Sequence, residues 1–325
     1  MAGPVASANV ACGLAVLSVV LFVLNGEMLQ FMQSGGGHTV SPLVNIWACH
    51  LAGLALLPWA GPGWKKLSSL MQPDWLVTSV VVLSVLLMCY NYFWVLSSRE
   101  MPVAMVNAVF QSSVGTTYLF SVVFLNNSRF SQTKTAAVIL AIIGAYLACA
   151  SKDDPEHPGS RHSGLLLAGL AVIGNTAYQI AFKRWFGQVA GTDASVAIVY
   201  LVGVSAVHLV FITPLLGLAH LTGFETAVLP QVGRNLAGVL LTAVIAFFVN
   251  GLWILVLMLG SPVVLSCAFG LAIPLSLGFD MCFHHVQINF EQVLGHLMVI
   301  GAFALLTAFP DTAVKHGKDA ADLDA

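Results

Sequence analysis

Long apolar runs separated by short polar connections dominate the pattern of this chain. A helix needs about 20 mainly apolar residues to cross roughly 30 Å of hydrocarbon, where the backbone finds no water to bond. Runs of this length predict membrane-spanning α-helices, whereas a β-barrel would show short alternating segments. Ten spans are predicted: Val5–Phe31, Ser41–Ala60, Trp75–Leu96, Met101–Leu125, Thr133–Ala150, Gly164–Trp185, Ser195–Leu216, Asn235–Leu259, Pro262–Phe283 and Gln292–Phe309.

Composition supports hydrocarbon as the main solvent of this protein. Of its 325 residues, 58% are hydrophobic and 8% are charged, and its mean hydropathy is +0.90. A soluble domain carries about 25% charged residues because they cover its surface. The predicted fold class is therefore an all-α membrane protein. The net charge of −2 gives no basic field for nucleic acid, so we expect a lipid bilayer and no nucleic acid as partners.

The distribution of Lys and Arg predicts the orientation of the spans. With the N-terminus inside, eight of the twelve basic residues fall on the inner side and four on the outer side. The inner set is Lys65, Lys66, Arg129, Lys134, Lys183, Arg184, Lys315 and Lys318, and the outer set is Arg99, Lys152, Arg161 and Arg234. Both termini are thus predicted to be cytoplasmic, in the plasma membrane or an endomembrane. The sequon at Asn126 would then face the cytoplasm and carry no glycan.

Two halves of five spans each flank the longest polar connection. The predicted units are a first repeat at 1–150, a connecting loop at 151–163, a second repeat at 164–310 and a polar cytoplasmic tail at 311–325. Pro102 and Pro262, and likewise Gln132 and Gln292, correspond at an offset of 160. An odd number of spans turns the second copy upside down, so we predict two inverted five-helix repeats with a solute site between them. Chance is the alternative, since proline starts many membrane helices.

Two stretches of the chain carry a family resemblance. The segment 91–150, from NYFWVLSSREMPVAMVNAVF to AAVILAIIGAYLACA, resembles the end of an EamA-type repeat in the drug/metabolite transporter superfamily. The stretches YQIAFKRWFG at 178–187 and GSPVVLSCAFGLAIPLSLGFD at 260–280 are similar to the thiamine-transporter-like subfamily F of the nucleotide-sugar-transporter-related solute carriers. The resemblance runs from about Gly26 to Pro310.

The resemblance implies a ten-helix carrier of inverted repeats. The first four helices of each half would line a central cavity, and the last helix of each half would lie at the periphery. One departure concerns a G-E-R-F loop that many superfamily members carry. Here Asn127-Ser128-Arg129-Phe130 stands in its place, without the glutamate.

Ionisable groups inside the spans are candidates for function, because charge in hydrocarbon is costly. Glu27 and Asp280 lie near the outer ends of the first and ninth spans, where they could act as gate or proton-coupling carboxylates. Reaching the headgroup region is the alternative for both. Lys183, which matches a lysine-bearing helix end in the resembling family, could meet an anionic group or a gate. For Lys183 and Arg184 the alternative is anchoring at the inner surface.

Uncharged polar and aromatic residues on the spans are candidates to bind the solute. Asn107 and Gln111, like Asn175 and Gln179, lie four residues apart and share one helix face, which points to a cavity or a partner helix. Trp253 and Tyr90 offer flat faces to a heteroaromatic or cationic solute. The predicted substrate-binding residues are Tyr90, Asn91, Asn107, Gln111, Asn175, Gln179, Asn250 and Trp253.

Three other features have packing interpretations. His50 and His208 are read as isolated buried histidines. Pro274 is predicted to kink the ninth span because it frees a backbone carbonyl. The fifth span carries small residues at every fourth position, which favours close packing within the chain, with a homodimer as the alternative; they are Ala137, Ala141, Ala145 and Cys149.

The pattern favours a secondary transporter of a small organic solute. The chain lacks the nucleophile, metal and nucleotide-loop motifs of membrane enzymes and pumps, so we expect no enzyme, cofactor or metal site. The two outer carboxylates favour a neutral or cationic metabolite, including a thiamine-like one, over a nucleotide sugar or another anion. An anionic metabolite exchanger and a non-transporting receptor or scaffold remain the alternatives.

Overall fold

A computed structural model describes residues 4–34, 41–100, 103–125, 130–148, 160–187, 194–224, 236–284 and 289–308. This part of the chain is all helical and contains no strand, which confirms the predicted all-α class. The helices are α1 (Pro4–Ser34), α2 (Pro42–Leu51), the 3-10 helix η1 (Ala52–Trp59), α3 (Ala60–Leu70), α4 (Pro73–Glu100), α5 (Val103–Gln111), α6 (Ser113–Phe124), α7 (Gln132–Ala148), α8 (Ser160–Trp185), α9 (Ala194–Thr222), α10 (Leu236–Leu259), α11 (Pro262–Phe269), α12 (Ala272–His284) and α13 (Phe290–Ala308).

Eight helical stretches of the described residues are long and apolar enough to cross a membrane. Two further apolar helices, Val109–Phe124 and Gln132–Ala148, are shorter than 18 residues. These two coincide with the predicted fourth and fifth spans. The protein is therefore a multi-pass membrane protein with eight candidate spans, and the count of ten stays a prediction.

The predicted second span is longer than expected and changes its helical form. The sequence predicts it over Ser41–Ala60, whereas the stretch continues through η1 to Leu70. Pro58 lies inside η1, and a proline cannot donate the hydrogen bond of a regular α-helix. Gly53 of the same segment packs directly on α9, where an added Cβ would lie 3.0 Å from the carbonyl oxygen of Leu201.

Two spans are interrupted in the middle. The fourth breaks at Ser112, whose Oγ donates to the carbonyl oxygen of Val109 at 2.7 Å and competes with the helical pattern. The ninth breaks at Gly270 and Leu271, whose amides bond three residues back instead of four. Pro274 follows one turn later and has no amide hydrogen to donate to the carbonyl of Gly270, and the kink predicted there stays a prediction.

Helices α7 and α13 form the most extensive helix pair of the bundle. Ala137, Ala141 and Ala145 are buried on α7, and an alanine at this spacing lets two backbones approach closely. Gly144 faces Gly295 of α13 so closely that a Cβ added to Gly144 would lie 2.8 Å from the carbonyl oxygen of Gly295. The small-residue stripe of α7 therefore packs within the chain, as predicted for its described members.

The remaining helices pair between the two halves of the sequence. Helix α4 packs along α8, α1 along α10, and the α2–η1–α3 stretch along α9. One large apolar cluster joins these pairs, and it contains Phe182, Phe186 and Tyr200 in ring contact. These three rings lie near the end of the bundle at which α3 ends and α4 begins, where Trp185 of α8 contacts Trp75 of α4.

Several predictions fall on parts of the chain outside the described residues. They concern Cys149, the sequon with its Arg-Phe loop at 126–129, most of the connecting loop, the tail from 311, and the side chain of Asp280. These stay predictions.

Candidate functional site

A small cavity of about 60 Å³ lies between α1, α2, α4 and α10. It is positioned toward the end of the bundle at which α1 ends and α2 begins, because its residues come from the last third of α1 and the start of α2. The lining residues are Phe22, Asn25, Leu29, Asn45, Ile46, Cys49, His50, Asn91, Trp94, Val95, Ala246, Val249, Asn250 and Trp253. None of these lining residues is charged.

Aromatic rings form one wall of the cavity. Phe22 lies between two indoles, with ring centroids 5.6 Å from Trp94 and 5.9 Å from Trp253. Phe269 packs edge-on against Trp253 at 4.7 Å, directly before the break in the ninth span. This wall offers flat apolar faces and the edges of two indoles to a ligand.

Polar atoms without protein partners face this region. The indole nitrogens of Trp94 and Trp253 and the side-chain oxygen of Asn25 are buried and find no hydrogen-bond partner among the described residues. Asn91 uses its amide nitrogen on the carbonyl of Leu87, at 2.9 Å. Buried polar groups are nearly always hydrogen-bonded, so these atoms indicate water or a ligand in the cavity.

A second, much smaller cavity of about 10 Å³ adjoins the first. The two share Cys49, His50 and Asn250 in their linings, so these three residues stand between them. The second cavity reaches Tyr178 of α8 and Tyr200 of α9, whose hydroxyls lie 3.3 Å apart.

A buried amide cluster lies beside the broken helices. Ser266 of α11 donates to the Oε1 of Gln179, at 3.1 Å, and to the hydroxyl of Thr117, also at 3.1 Å. Thr176 joins the network by hydroxyl contacts of 2.8 Å to Thr116 and 3.3 Å to Thr117. The cluster therefore connects α6, α8 and α11.

The amide nitrogens of this cluster are unsatisfied. Those of Gln111, Asn175 and Gln179 are buried and have no hydrogen-bond partner among the described residues. Gln111 lies against Gly270, where the break leaves room for its amide and where a Cβ would approach the Gln111 side chain to 2.9 Å. Three unpaired donors in one buried region require an acceptor that the described part of the protein does not supply.

The predicted substrate-binding residues divide into separate places. Asn91, Asn250 and Trp253 line the larger cavity, and the amide cluster contains Gln111, Asn175 and Gln179. Tyr90 packs against the ring of Tyr178 at 5.9 Å. Asn107 is half-buried on α5 and lines neither of the two cavities.

The predicted gate residues lie at different ends. Glu27 is half-buried on α1, on a face other than that of Asn25 and Leu29, which line the cavity. Lys183 lies at the opposite end, where its Nζ donates to the carbonyl oxygens of Leu257 and Gly260 at 2.8 Å and of Met258 at 3.4 Å. The last carbonyls of a helix lack partners within that helix. Lys183 therefore caps the C-terminus of α10.

Replacing Lys183 by methionine should destabilise the protein, because it leaves those carbonyls without a donor in a half-buried place. The expected loss is about 1–3 kcal/mol, which a lower thermal unfolding midpoint of the detergent-purified protein would report. Arg184→Met is the matched control, since Arg184 is exposed and its guanidinium donates to the carbonyl oxygen of Phe124 at 2.9 Å. An equal loss in both variants would show that the cap is unimportant.

Several residues of the site were not predicted from the sequence. Phe22, Asn25 and Leu29 recur at helical spacing on one face of α1, which was the available signal. The view that His50 and His208 are isolated is wrong, because their ring centroids are 4.1 Å apart. Close packing of η1 on α9 brings these rings together, and nothing in the local sequence of either helix shows it.

Comparison with known proteins shows what this multi-pass membrane protein resembles. Residues 9–150 match the EamA-like transporter family. An uncharacterized transporter of Schizosaccharomyces pombe is 26% identical over 56% of this chain and 54% of its own length. Solute carrier family 35 member F5 of Bos taurus is 27% identical over 67% of this chain and 41% of its own length.

A further relative resembles the chain in sequence, and a solved structure shares its fold. The thiamine-repressible mitochondrial transport protein of Saccharomyces cerevisiae is 23% identical over 63% of this chain and 55% of its own length. The chain spans about half the length of these curated relatives. One crystal structure shares the fold, with a TM-score of 0.65 at 19% identity over 94% of this chain and 99% of that one. The resemblance to the EamA-like family, and through it to the drug/metabolite transporter superfamily and its solute carrier branch, is confirmed.

Proposed function

We propose that this protein is a secondary transporter that moves a small neutral or cationic organic solute by alternating access through a central cavity. The observation that carries the proposal is the uncharged cavity with aromatic walls and unpaired polar atoms. Ligand sites are concave, mostly apolar and equipped with a few oriented polar groups. The names of the relatives, which include transporters, support the same class of activity.

The pairing of helices supports two inverted repeats of five spans. Numbered in order, five pairs of spans are 1 with 8, 3 with 6, 2 with 7, 4 with 9 and 5 with 10, and in addition span 4 packs on span 6 as span 9 packs on span 1. If each span of the first half is exchanged with the span five places later, the pair 1–8 becomes the pair 6–3. The pairs 2–7, 4–9 and 5–10 stay the same. A pseudo-two-fold axis in the membrane plane would produce this pattern.

The two broken helices support a site between the repeats. The breaks lie at Ser112 in the fourth span and at Gly270 and Leu271 in the ninth, and an offset of 160 places Ser112 opposite Ala272. Interrupted helices at corresponding positions of two halves are typical of transporter binding sites, because the interruption exposes backbone groups to a cavity. The amide cluster lies beside both breaks.

The charge of the lining favours a neutral or cationic solute. Neither cavity carries an Arg or Lys among its lining residues, so phosphate groups of a nucleotide sugar would find no counter-charge there. Indole and phenyl faces attract cations and stack on planar rings. A thiamine-like solute fits this class, and an anionic metabolite exchanger fits it less well.

The charged candidates are proposed to act at the two ends of the pathway. Glu27 and Asp280 belong to the end toward which the cavity lies, as gate or coupling carboxylates, and Lys183 to the opposite end, as a gate that holds α10 closed against α8. With both termini in the cytoplasm, the cavity would lie toward the outer side.

Uptake into proteoliposomes tests the proposal. Labelled thiamine, nucleosides, small amines and a nucleotide sugar would be offered to the purified protein, and we expect saturable uptake of a neutral or cationic member. Trp253→Ala should reduce it about tenfold or more, which equals ~1.4 kcal/mol of binding. Phe248→Ala on the same helix is the matched control, because Phe248 is 55% exposed on the outside of the bundle whereas Trp253 is 6% exposed.

Three outcomes would contradict the proposal. Absence of flux for every solute, with the protein shown to be folded, would favour the receptor or scaffold function. Uptake of the nucleotide sugar alone would favour the anionic exchanger. Equal uptake by both variants would show that the cavity is not on the solute pathway.

A further inference from the structure

Two histidines from different halves of the chain stack beside the proposed solute cavity. The rings of His50 on α2 and His208 on α9 lie with centroids 4.1 Å apart and planes inclined by 37°. Their side chains are 6% and 1% exposed. His50 lines both cavities, so the pair is reached from the cavity through His50.

The surrounding backbone fixes this arrangement. Ser205 of α9 donates its hydroxyl both to the carbonyl oxygen of His50 and to that of Leu201, the latter at 2.8 Å. Gly53 packs against the same turn of α9, where any side chain would collide with it. The two helices therefore meet at a defined register that places one ring on the other.

The hydrogen bond of His208 identifies its basic nitrogen. Its Nδ1 lies 2.8 Å from the carbonyl oxygen of Val204, an atom that only accepts, so Nδ1 carries the hydrogen. The lone pair of the neutral ring is then on Nε2. That nitrogen is buried and has no hydrogen-bond partner within the described part of the chain. It is the atom to which a proton would add.

Among the groups around the pair, the imidazoles are the side chains whose ordinary pKa lies closest to neutral pH. The other titratable groups facing them are Cys49 on α2, Tyr178 on α8 and Tyr200 on α9. From α4 and α10 the cavity linings contribute only uncharged residues, among them Asn91 and Asn250. Two positive charges at ring-contact distance repel each other strongly, so the pair holds one added proton.

We propose that the His50–His208 pair is a proton-binding site and that its proton couples to movement of the solute. His50 takes a proton from hydronium in cavity water, whose O–H bond breaks as an N–H bond forms on His50. That N–H bond breaks in turn as the Nε2 of His208 forms one. The same bond breaks when the proton returns to the cavity. This inference rests on the proposed transport function and names its coupling ion.

Flux measurements with His208→Asn test the coupling. Asparagine keeps an N–H near the position of Nδ1, and with it the contact to Val204, but lacks the basic Nε2. We expect uptake driven by a pH gradient to lose its stimulation in this variant, while exchange of solute for solute at equal pH persists. His220→Asn is the matched control, since His220 is exposed near the end of the same helix; it should keep the stimulation.

Nitrogen NMR of protein labelled at histidine tests the proton site without any flux. Between about pH 8 and pH 4, we expect one protonation step that His220→Asn retains and His208→Asn loses. Absence of that step from the wild-type protein would overturn the proposal. So would full gradient stimulation in His208→Asn, or its loss in Glu27→Gln alone, which would assign the proton to the carboxylate. If the wild-type protein shows no flux but keeps the NMR step, the transport function fails and the proton site stands.

Discussion

Replacing Gly295 by alanine should strongly destabilise the protein. An added Cβ would lie 2.6 Å from the carbonyl oxygen of Gly144 and 2.8 Å from the Cα of Ala148. These are backbone atoms of α7, which cannot rotate away as a side chain can, so the whole helix pair must separate. Overpacking costs about 1–3 kcal/mol and sometimes more. Because α7 and α13 pack chiefly on each other, we expect the upper end of this range.

Gly301→Ala is the matched control for this prediction. Gly301 belongs to the same helix, and its added Cβ would lie 3.7 Å from the Cδ2 of Leu140, an ordinary contact. Alanine is also the better helix former, by about 1 kcal/mol. Thermal unfolding in detergent should therefore show an unchanged or higher midpoint for Gly301→Ala and a much lower one for Gly295→Ala. Similar midpoints in the two variants would contradict the close approach of α7 and α13.

The long helices were predictable because hydrocarbon thickness acts on each segment alone. The spans predicted at Gly164–Trp185 and Asn235–Leu259 correspond to α8 at Ser160–Trp185 and α10 at Leu236–Leu259. The second span was less predictable. Its polar continuation past Ala60, through Lys65 and Lys66, stays helical because Gly63 and Leu67 are buried against neighbouring helices.

The two helix breaks differ in how visible they were. The break in the ninth span could be expected from Pro274, since proline lacks the backbone N–H donor of a regular helix in any environment. The break in the fourth span could not be expected from Ser112, because serine hydroxyls bond backbone carbonyls of the preceding turn in many regular helices. What distinguishes this serine is its place next to Gln111, which packs into the space at Gly270 of the other broken helix. That contact joins residues 159 positions apart.

The sequence predicted which types of residue form the site, but not where each of them lies. Asn91 and Asn250 were selected because polar side chains are costly in lipid, and Trp253 was selected because its ring offers a flat face to a solute. All three line the cavity. The same reasoning selected Gln111, Asn175 and Gln179, which belong to the amide cluster instead. Which of the two regions a polar residue joins depends on the partner helix that faces it. The sequence of one span does not contain that information.

The amide cluster and the cavity have one physical property in common. Both hold buried polar atoms that lack partners among the described residues, and such atoms destabilise a folded protein unless a ligand or water completes them. A purely structural polar network would be expected to satisfy its members. The difference between a structural and a ligand-binding role can therefore be measured as opposite effects on stability and on flux.

Replacing Asn175 by leucine should abolish uptake without lowering stability. Asn175 is 1% exposed, and its amide nitrogen has no partner in the described structure. Leucine has a similar volume and removes a buried unsatisfied donor, whose cost is about 1–3 kcal/mol. The thermal midpoint should therefore stay or rise. If the amide binds the solute, uptake in proteoliposomes should fall about tenfold or more, since that corresponds to ~1.4 kcal/mol.

Thr176→Val gives the opposite pattern and serves as the matched control. Thr176 is the neighbouring residue, equally buried, but its hydroxyl contacts those of Thr116 at 2.8 Å and Thr117 at 3.3 Å. Valine keeps the shape and leaves part of this network unpaired, so stability should fall by about 1–3 kcal/mol. A stability loss in Asn175→Leu as large as in Thr176→Val, with uptake preserved, would make Asn175 a structural residue. Loss of uptake at unchanged or raised stability would place the amide cluster on the solute pathway, because no folding defect could then account for the lost flux.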